Sequence, residues 1–138
     1  MISLVIDTCN SNLLVALIRN NDILSIYNER IYENMSTKIF PVMQEVFVKS
    51  GIEPKDIDTI YVANGPGSFT GVRIGIATVK ALAKVLNKKI LGVTSLKLMA
   101  LNHLDTNHKY ILSTLDAKNT RVYYELFEVT DNKELIYE

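Results

Sequence analysis

The chain has one cysteine, two histidines, no net charge and no long apolar run. Each absence removes a class of protein. A lone Cys9 cannot close an internal disulfide, so a reducing compartment, the cytoplasm, is expected. No apolar stretch reaches the roughly 18–20 residues of a membrane span, so no membrane partner is expected. The opening Met1-Ile2-Ser3-Leu4-Val5-Ile6-Asp7 has no basic residue and soon meets an acid. It does not read as a signal peptide. His103 and His108 stand five apart, which is a weak ligand spacing, and no metal is expected. Cys9 has no histidine or basic neighbour in sequence, so it reads as a packing residue rather than a nucleophile. Ser68 does not sit in a Gly-x-Ser-x-Gly elbow, and no catalytic triad is apparent.

What is present suits a packed core. Hydrophobic residues make up 48% of the 138, and charged residues 22%. That composition separates the chain from disordered sequences. The balance of 15 basic and 15 acidic residues hides a gap. Residues 59–104 contain Arg73, Lys80, Lys84, Lys88, Lys89 and Lys97 and no acid at all. Such a segment suits a polyanion or an acidic partner, or is simply a solvated helix face.

Hydrophobic periodicity and turn residues predict an order of elements. Strands are expected at 2–6, 13–19 and 23–32. A helix follows from Ser36 or Thr37 to just before Gly51, with Ser36 as N-cap and Pro41 near its start. Ile39, Phe40, Met43, Val46 and Phe47 fall on its apolar face. A strand at 59–63, a helix at about 70–87, a strand at 89–93 and a short helix at 96–104 capped by Ser95 come next. Three strands close the chain, at 110–115, 121–129 and 134–137. The order is βββαβαβα and then βββ. It predicts an α/β chain of actin-like, ribonuclease H-like (ASKHA) fold. Residues 1–104 form a complete first lobe and residues 105–138 a shortened second one.

The most specific segment is Gly65-Pro66-Gly67-Ser68-Phe69-Thr70-Gly71, continuing through Arg73 to Gly75. It joins a strand to a helix. Gly65 and Gly67 allow positive φ or close backbone approach, and Pro66 stiffens the turn. Ser68 and Thr70 can cap the helix, whose free N–H groups attract anions. The segment is neither a Walker loop nor a dinucleotide fingerprint. It is either a phosphate loop or a structural turn packed on a neighbour.

The helix after it has apolar residues on more than one face. Gly71, Gly75, Thr78, Leu82, Val85 and Leu86 share one side. Ile74, Ala77 and Ala81 flank it on one edge, and Val72, Ile76 and Ala83 on the other. Arg73, Lys80, Lys84 and Lys88 form a ridge opposite. One sheet needs only one apolar stripe. The extra flank suits another helix, either the first helix of the same lobe or one from a partner.

The glycine turn with Arg73-Ile74-Gly75 resembles the signature of the bacterial TsaB (YeaZ) family. Ile6-Asp7-Thr8, Leu91-Gly92-Val93-Thr94-Ser95-Leu96, Leu115-Asp116-Ala117-Lys118 and Val122-Tyr123 resemble further stretches of it, in order. The family's His-Ser-Glu stretch is replaced here by Asn34-Met35-Ser36-Thr37-Lys38, and family members usually run further into the second lobe. The resemblance implies a non-catalytic subunit that supports TsaD in making threonylcarbamoyladenosine in tRNA. It implies TsaE, an ATPase, joining through the TsaD complex, and tRNA met indirectly. It also implies pairing through the first-lobe helices, with Ile39, Met43, Ile74, Ala77, Thr78 and Ala81 as partner-binding residues. A homodimer is expected where TsaD is absent. Asp7 and Asp116 open the two lobes as carboxylates do around magnesium nucleotide in actin-like ATPases, so with Thr8 they are expected to mark a vestigial nucleotide cleft, with no cofactor. The competing expectation is an actin-like ATP-dependent small-molecule kinase or ATPase.

Overall fold

The computed structural model describes residues 1–32 and 34–137. Its elements run β1 (Ile2–Asp7), β2 (Asn12–Arg19), β3 (Asp22–Arg30), α1 (Met35–Ser50), β4 (Thr59–Ala63), α2 (Phe69–Leu86), β5 (Lys89–Val93), α3 (Ser95–Leu101), β6 (Tyr110–Lys118), β7 (Arg121–Val129) and β8 (Leu135–Tyr137). The first five strands form one sheet in the order β3-β2-β1-β4-β5. β1 pairs antiparallel with β2 and parallel with β4, which pairs parallel with β5.

Register decides where the core lies. Leu4 and Ile6 of β1 stand beside Leu17 and Val15 of β2 and beside Ile60 and Val62 of β4. A period of two puts all six on one face. α1 covers that face with Ile39, Val42, Met43 and Val46, and α2 adds Val79 and Ala83. The six sheet residues are buried, and five of them are fully inaccessible.

β6, β7 and β8 make a separate three-stranded antiparallel sheet. One face rests on α3. There Phe127 is fully buried, Ser113 nearly so, and the Phe127 and Tyr137 rings lie 5.3 Å apart. Thr94 joins the two parts: its hydroxyl accepts from Lys97 N as the α3 N-cap and donates to Glu125 of β7 at 3.1 Å. The opposite face carries Tyr110, Leu112, Val122, Tyr124, Leu126 and Ile136, all exposed.

Several expected boundaries shift. α1 begins at Met35 because Asn34, not Ser36, is its N-cap, its side chain accepting from Ser36 N and from Ser36 Oγ. Pro41 therefore lies inside the helix rather than near its start. α3 is capped by Thr94 rather than Ser95 and ends at Leu101 rather than 104. β6 runs on to Lys118. Phe40 and Val85, expected on the apolar faces of their helices, are 56% and 83% exposed. Their helical phase points them away from the sheet, while Val79 takes the inward position on α2.

Candidate functional site

The glycine turn is a seat for the first turn of the chain. Gly65 has φ +95, a conformation that only glycine takes without strain, and the Gly65–Pro66 peptide is cis. Ser68 caps α2 by accepting from Gly71 N at 3.2 Å, and its own N–H donates to the Cys9 carbonyl at 2.6 Å. Thr70 is exposed within the helix and does not cap it. Thr8, fully buried, donates its hydroxyl to the Gly71 carbonyl at 2.7 Å. A Cβ on Gly67 would overlap the Cys9 carbonyl oxygen, and one on Gly71 the Thr8 carbonyl oxygen. The close approach at Gly67, rather than a positive φ, is what demands glycine there. The Gly65 carbonyl accepts from Ser95 N at 2.8 Å, so the turn also touches the start of α3.

Cys9 belongs to this joint. Its thiol donates to the Ala63 carbonyl at 3.2 Å. Burial pushes the thiol pKa above its ordinary value, the nearby Ser95 hydroxyl opposes that, and the Asp7 carboxylate adds to it. A thiol held protonated is a poor nucleophile.

Beside the turn lies a cleft of about 760 Å³, bounded by the β1 end, the start of α2, α3 and the β6–β7 hairpin. Asp7 and Asp116 both line it, together with Ser68, Phe69, Leu98, Met99, Lys118 and Tyr123. Asp7 and Asp116, two of the three residues expected at a vestigial cleft, thus lie on one lining. Thr8 does not share it, because its side chain turns inward onto Gly71. The cleft carboxylates are engaged. Asp7 accepts from Cys9 N at 2.7 Å. Asp116 accepts from Lys118 N at 2.7 Å and from Lys118 Nζ at 3.1 Å, one on each oxygen. Those contacts, the backbone N–H first, hold the Asp116 carboxyl below its usual range. No cluster of three His, Cys, Asp or Glu able to hold a metal exists among the described residues.

The expected partner-binding residues separate into two groups. Ile39 and Met43 are 1% and 4% exposed and pack in the core, and Thr78 is equally inward. A helix residue that faces its own sheet cannot also face a partner, so these three leave the candidate surface. Ile74 is half-buried, and Ala77 and Ala81 are exposed. Other exposed apolar residues on the two helices were not placed on the surface by the sequence reading. Phe40 and Val48 of α1 are 56% and 76% exposed, and Phe69 and Val85 of α2 are 76% and 83% exposed. The signal for them was apolar residues at the polar phase of two amphipathic helices. Arg73 is exposed and lies over the Phe69 ring at 5.1 Å.

A mixed α/β chain with this strand order and glycine turn is of the actin-like, ribonuclease H-like class, and the comparisons agree. A family model described as TsaD, tRNA N6-adenosine threonylcarbamoyltransferase, matches residues 26–135. The "tRNA threonylcarbamoyladenosine biosynthesis protein TsaB" of Bacillus subtilis is 36% identical over 130 residues, 93% of this chain and 56% of that protein. The protein of that name from Escherichia coli is 32% identical over 94% of this chain and 56% of its own length. YeaZ from Pseudomonas aeruginosa superposes with a TM-score of 0.86 at 26% identity, covering 99% of this chain and 64% of that one. The chain belongs to this threonylcarbamoyltransferase-related family, on its TsaB (YeaZ) branch. It spans about half the length of the curated relatives it matches.

Proposed function

We propose that the chain is a non-catalytic subunit of the machinery that makes threonylcarbamoyladenosine in tRNA, and that it supports the catalytic subunit TsaD. The names of the relatives supply the pathway. The observation that carries the role is the outward face of α1 and α2. The core closes without Phe40, Val48, Phe69, Ala77, Ala81 or Val85, which leaves exposed apolar residues on both α1 and α2. Ala77 and Ala81, four apart, leave a shallow strip that a second helix approaches closely. In this reading residues 1–104 are the first actin-like lobe and residues 105–138 open the second. TsaE joins through the TsaD complex, tRNA is met indirectly, and a second copy occupies the same strip where TsaD is missing. No helix is long and apolar enough to cross a membrane among the described residues. The cytoplasm, where tRNA is modified, is the proposed location. The kinase alternative draws no support from the names of the relatives.

The test is reconstitution. The chain is mixed with TsaD, TsaE, threonylcarbamoyl-adenylate and unmodified tRNA, and modification is measured with each component left out. The chain alone modifies no tRNA and hydrolyses no ATP at a meaningful rate. Ala81→Glu buries a charge in the proposed seam, which typically costs several kcal/mol when unpaired. That variant keeps the melting temperature of the parent and fails to capture TsaD. Transfer by the chain alone, or a folded Ala81→Glu chain that still captures TsaD, overturns the reading.

A further inference from the structure

We propose that Asn64-Gly65 is a deamidation site that the glycine turn holds shut, so that modification there records openings of the joint and prevents it from closing again. Asn64-Gly65 is the one Asn-Gly pair in the chain. Glycine is the neighbour that least hinders ring closure, because it has no Cβ to crowd the approach. In that reaction the Gly65 nitrogen attacks Asn64 Cγ. A new C–N bond forms, the bond from Cγ to the side-chain nitrogen breaks, and ammonia leaves with the Gly65 amide proton. Water then opens the cyclic imide at one of its two carbonyls. Opening at Cγ leaves aspartate at position 64, and opening at the main-chain carbonyl leaves isoaspartate. Water is the only reactant from outside.

The fold sets the two reacting atoms apart. β4 lies between β1 and β5. The Asn64 amide lies over β5: a Cβ on Gly92 would fall 2.7 Å from Asn64 Nδ2 and 3.3 Å from Cγ. The Gly65 N–H faces the Cys9 sulfur, on the β1 side, and favours its ionised form. Asn64 is exposed and Gly65 is buried. A Cβ on Gly65 would meet Val72 of α2 at 3.4 Å. The amide is thus open to water while its nucleophile is packed away. Both ends of the pair are also tied. Asn64 N donates to the Val93 carbonyl at 3.0 Å, and the Gly65 carbonyl accepts from Ser95 N at 2.8 Å. Bringing the Gly65 nitrogen onto Cγ requires this strap to loosen, a local opening of the kind that exposes loops in otherwise folded proteins.

The products differ in what they allow next. Isoaspartate adds one methylene to the main chain between the two tied ends, about 1.5 Å of extra length. It also leaves a carboxylate where the Asn64 carbonyl stood. The strap then no longer fits between Val93 and Ser95, and α3 loses its tie to the turn. Aspartate keeps the main chain unchanged and lets the joint close.

The experiment ages the full chain at mildly alkaline pH and follows position 64 by peptide mass, as a gain of about one dalton, with fragmentation that separates isoaspartate from aspartate. The chain is aged folded, fully unfolded in urea, and in urea below the unfolding midpoint. Asn10-Ser11, both exposed, is the internal reference. Unfolded, Asn64 deamidates faster than Asn10; folded, it is no faster. The folded rate at Asn64 is at least roughly tenfold below the unfolded one, and urea below the midpoint raises it. Gly71→Ala, which loosens the joint from the α2 side, raises it as well; should that variant fail to fold, the urea series decides. Asn64→Gln, folded as the parent, shows no gain at this position. A folded chain that deamidates Asn64 as fast as the unfolded one, or a folded rate indifferent to urea, overturns the guarded site. Chain aged unfolded is then returned to buffer and separated by charge. The isoaspartyl fraction melts lower by about 5 °C or more, while Asn64→Asp melts with the parent. An isoaspartyl fraction that regains the parent's melting temperature overturns the one-way closure.

Discussion

Gly71→Ala is the sharpest perturbation of the joint between the first turn and α2. The added methyl would overlap the Thr8 carbonyl oxygen, which is backbone and cannot rotate away. Either α2 shifts or the β1–β2 turn lifts. Lifting it weakens the hydrogen bond from Thr8 Oγ1 to Gly71 and the one from Ser68 N to Cys9, each worth about 1 kcal/mol net. Overpacking adds about 1–3 kcal/mol. Alanine returns about 1 kcal/mol in helix propensity. The net loss is about 3 kcal/mol, which for a chain of this size lowers the melting temperature by about 10 °C. Gly51→Ala is the control. Gly51 has φ +67 but nothing within 4 Å of an added Cβ, so it costs only backbone strain of about 1 kcal/mol. Thermal unfolding followed by circular dichroism measures both. If Gly71→Ala melts no lower than Gly51→Ala, the close packing at Thr8 does not govern the stability of this joint.

Two further outcomes follow from the fold. Thr94→Ala removes the α3 cap and the link to Glu125, lowering stability by about 1–2 kcal/mol in denaturant titration, while Thr94→Ser retains most of it. The Cys9 thiol, raised by burial, resists alkylation at mildly alkaline pH in the native chain and reacts readily once unfolded. Because the folded pKa lies above the unfolded one, the unfolded chain ionises first as pH rises. Stability is therefore intact below the ordinary thiol pKa and declines as pH climbs through the raised one. A Cys9→Ser chain that loses stability as steeply over that alkaline window assigns the decline to another group.

Much of the fold was legible because its signals are local. The spans 59–63, 89–93 and 121–129 read as strands from short β-branched or alternating runs bounded by turn residues, and β4, β5 and β7 occupy them. The start of α1 was misplaced because Asn34 and Ser36 are both good cap residues, and only the side-chain geometry distinguishes them. Burial on the helices was harder. Phe40 and Val85 were assigned inward on hydrophobicity alone, although each is out of phase with the true core residues beside it, Ile39 and Val79. The seating of Thr8 and Cys9 on the glycine turn left no trace in either segment, since the contacts, the Thr8 hydroxyl on one backbone carbonyl and a backbone bond at Cys9, join residues about sixty apart. The engagement of Asp116 by Lys118 was equally hidden. It depends on a hairpin in which Lys118, Asn119 and Thr120 all take positive φ, a run that sequence patterning does not announce.

The bond between Thr8 and Gly71 spans 63 residues, and that distance has a meaning for how the chain is made. The β1–β2 hairpin leaves the ribosome before either helix that covers it. Its partners in α2 follow only after the whole of α1 and β4 have been synthesised. At roughly 5–20 residues per second, several seconds pass in which Leu13, Val15 and Leu17 have neither helix to cover them. During that interval the nascent hairpin is an exposed apolar ribbon with an unpaired edge, the kind of segment that chaperones hold and that aggregates when they do not. α1 brings the first cover, and the glycine turn completes it, because it caps α2, closes over Cys9 and lays α2 on the sheet. The joint that stabilises the finished molecule thus also completes the cover over a hairpin made well before it.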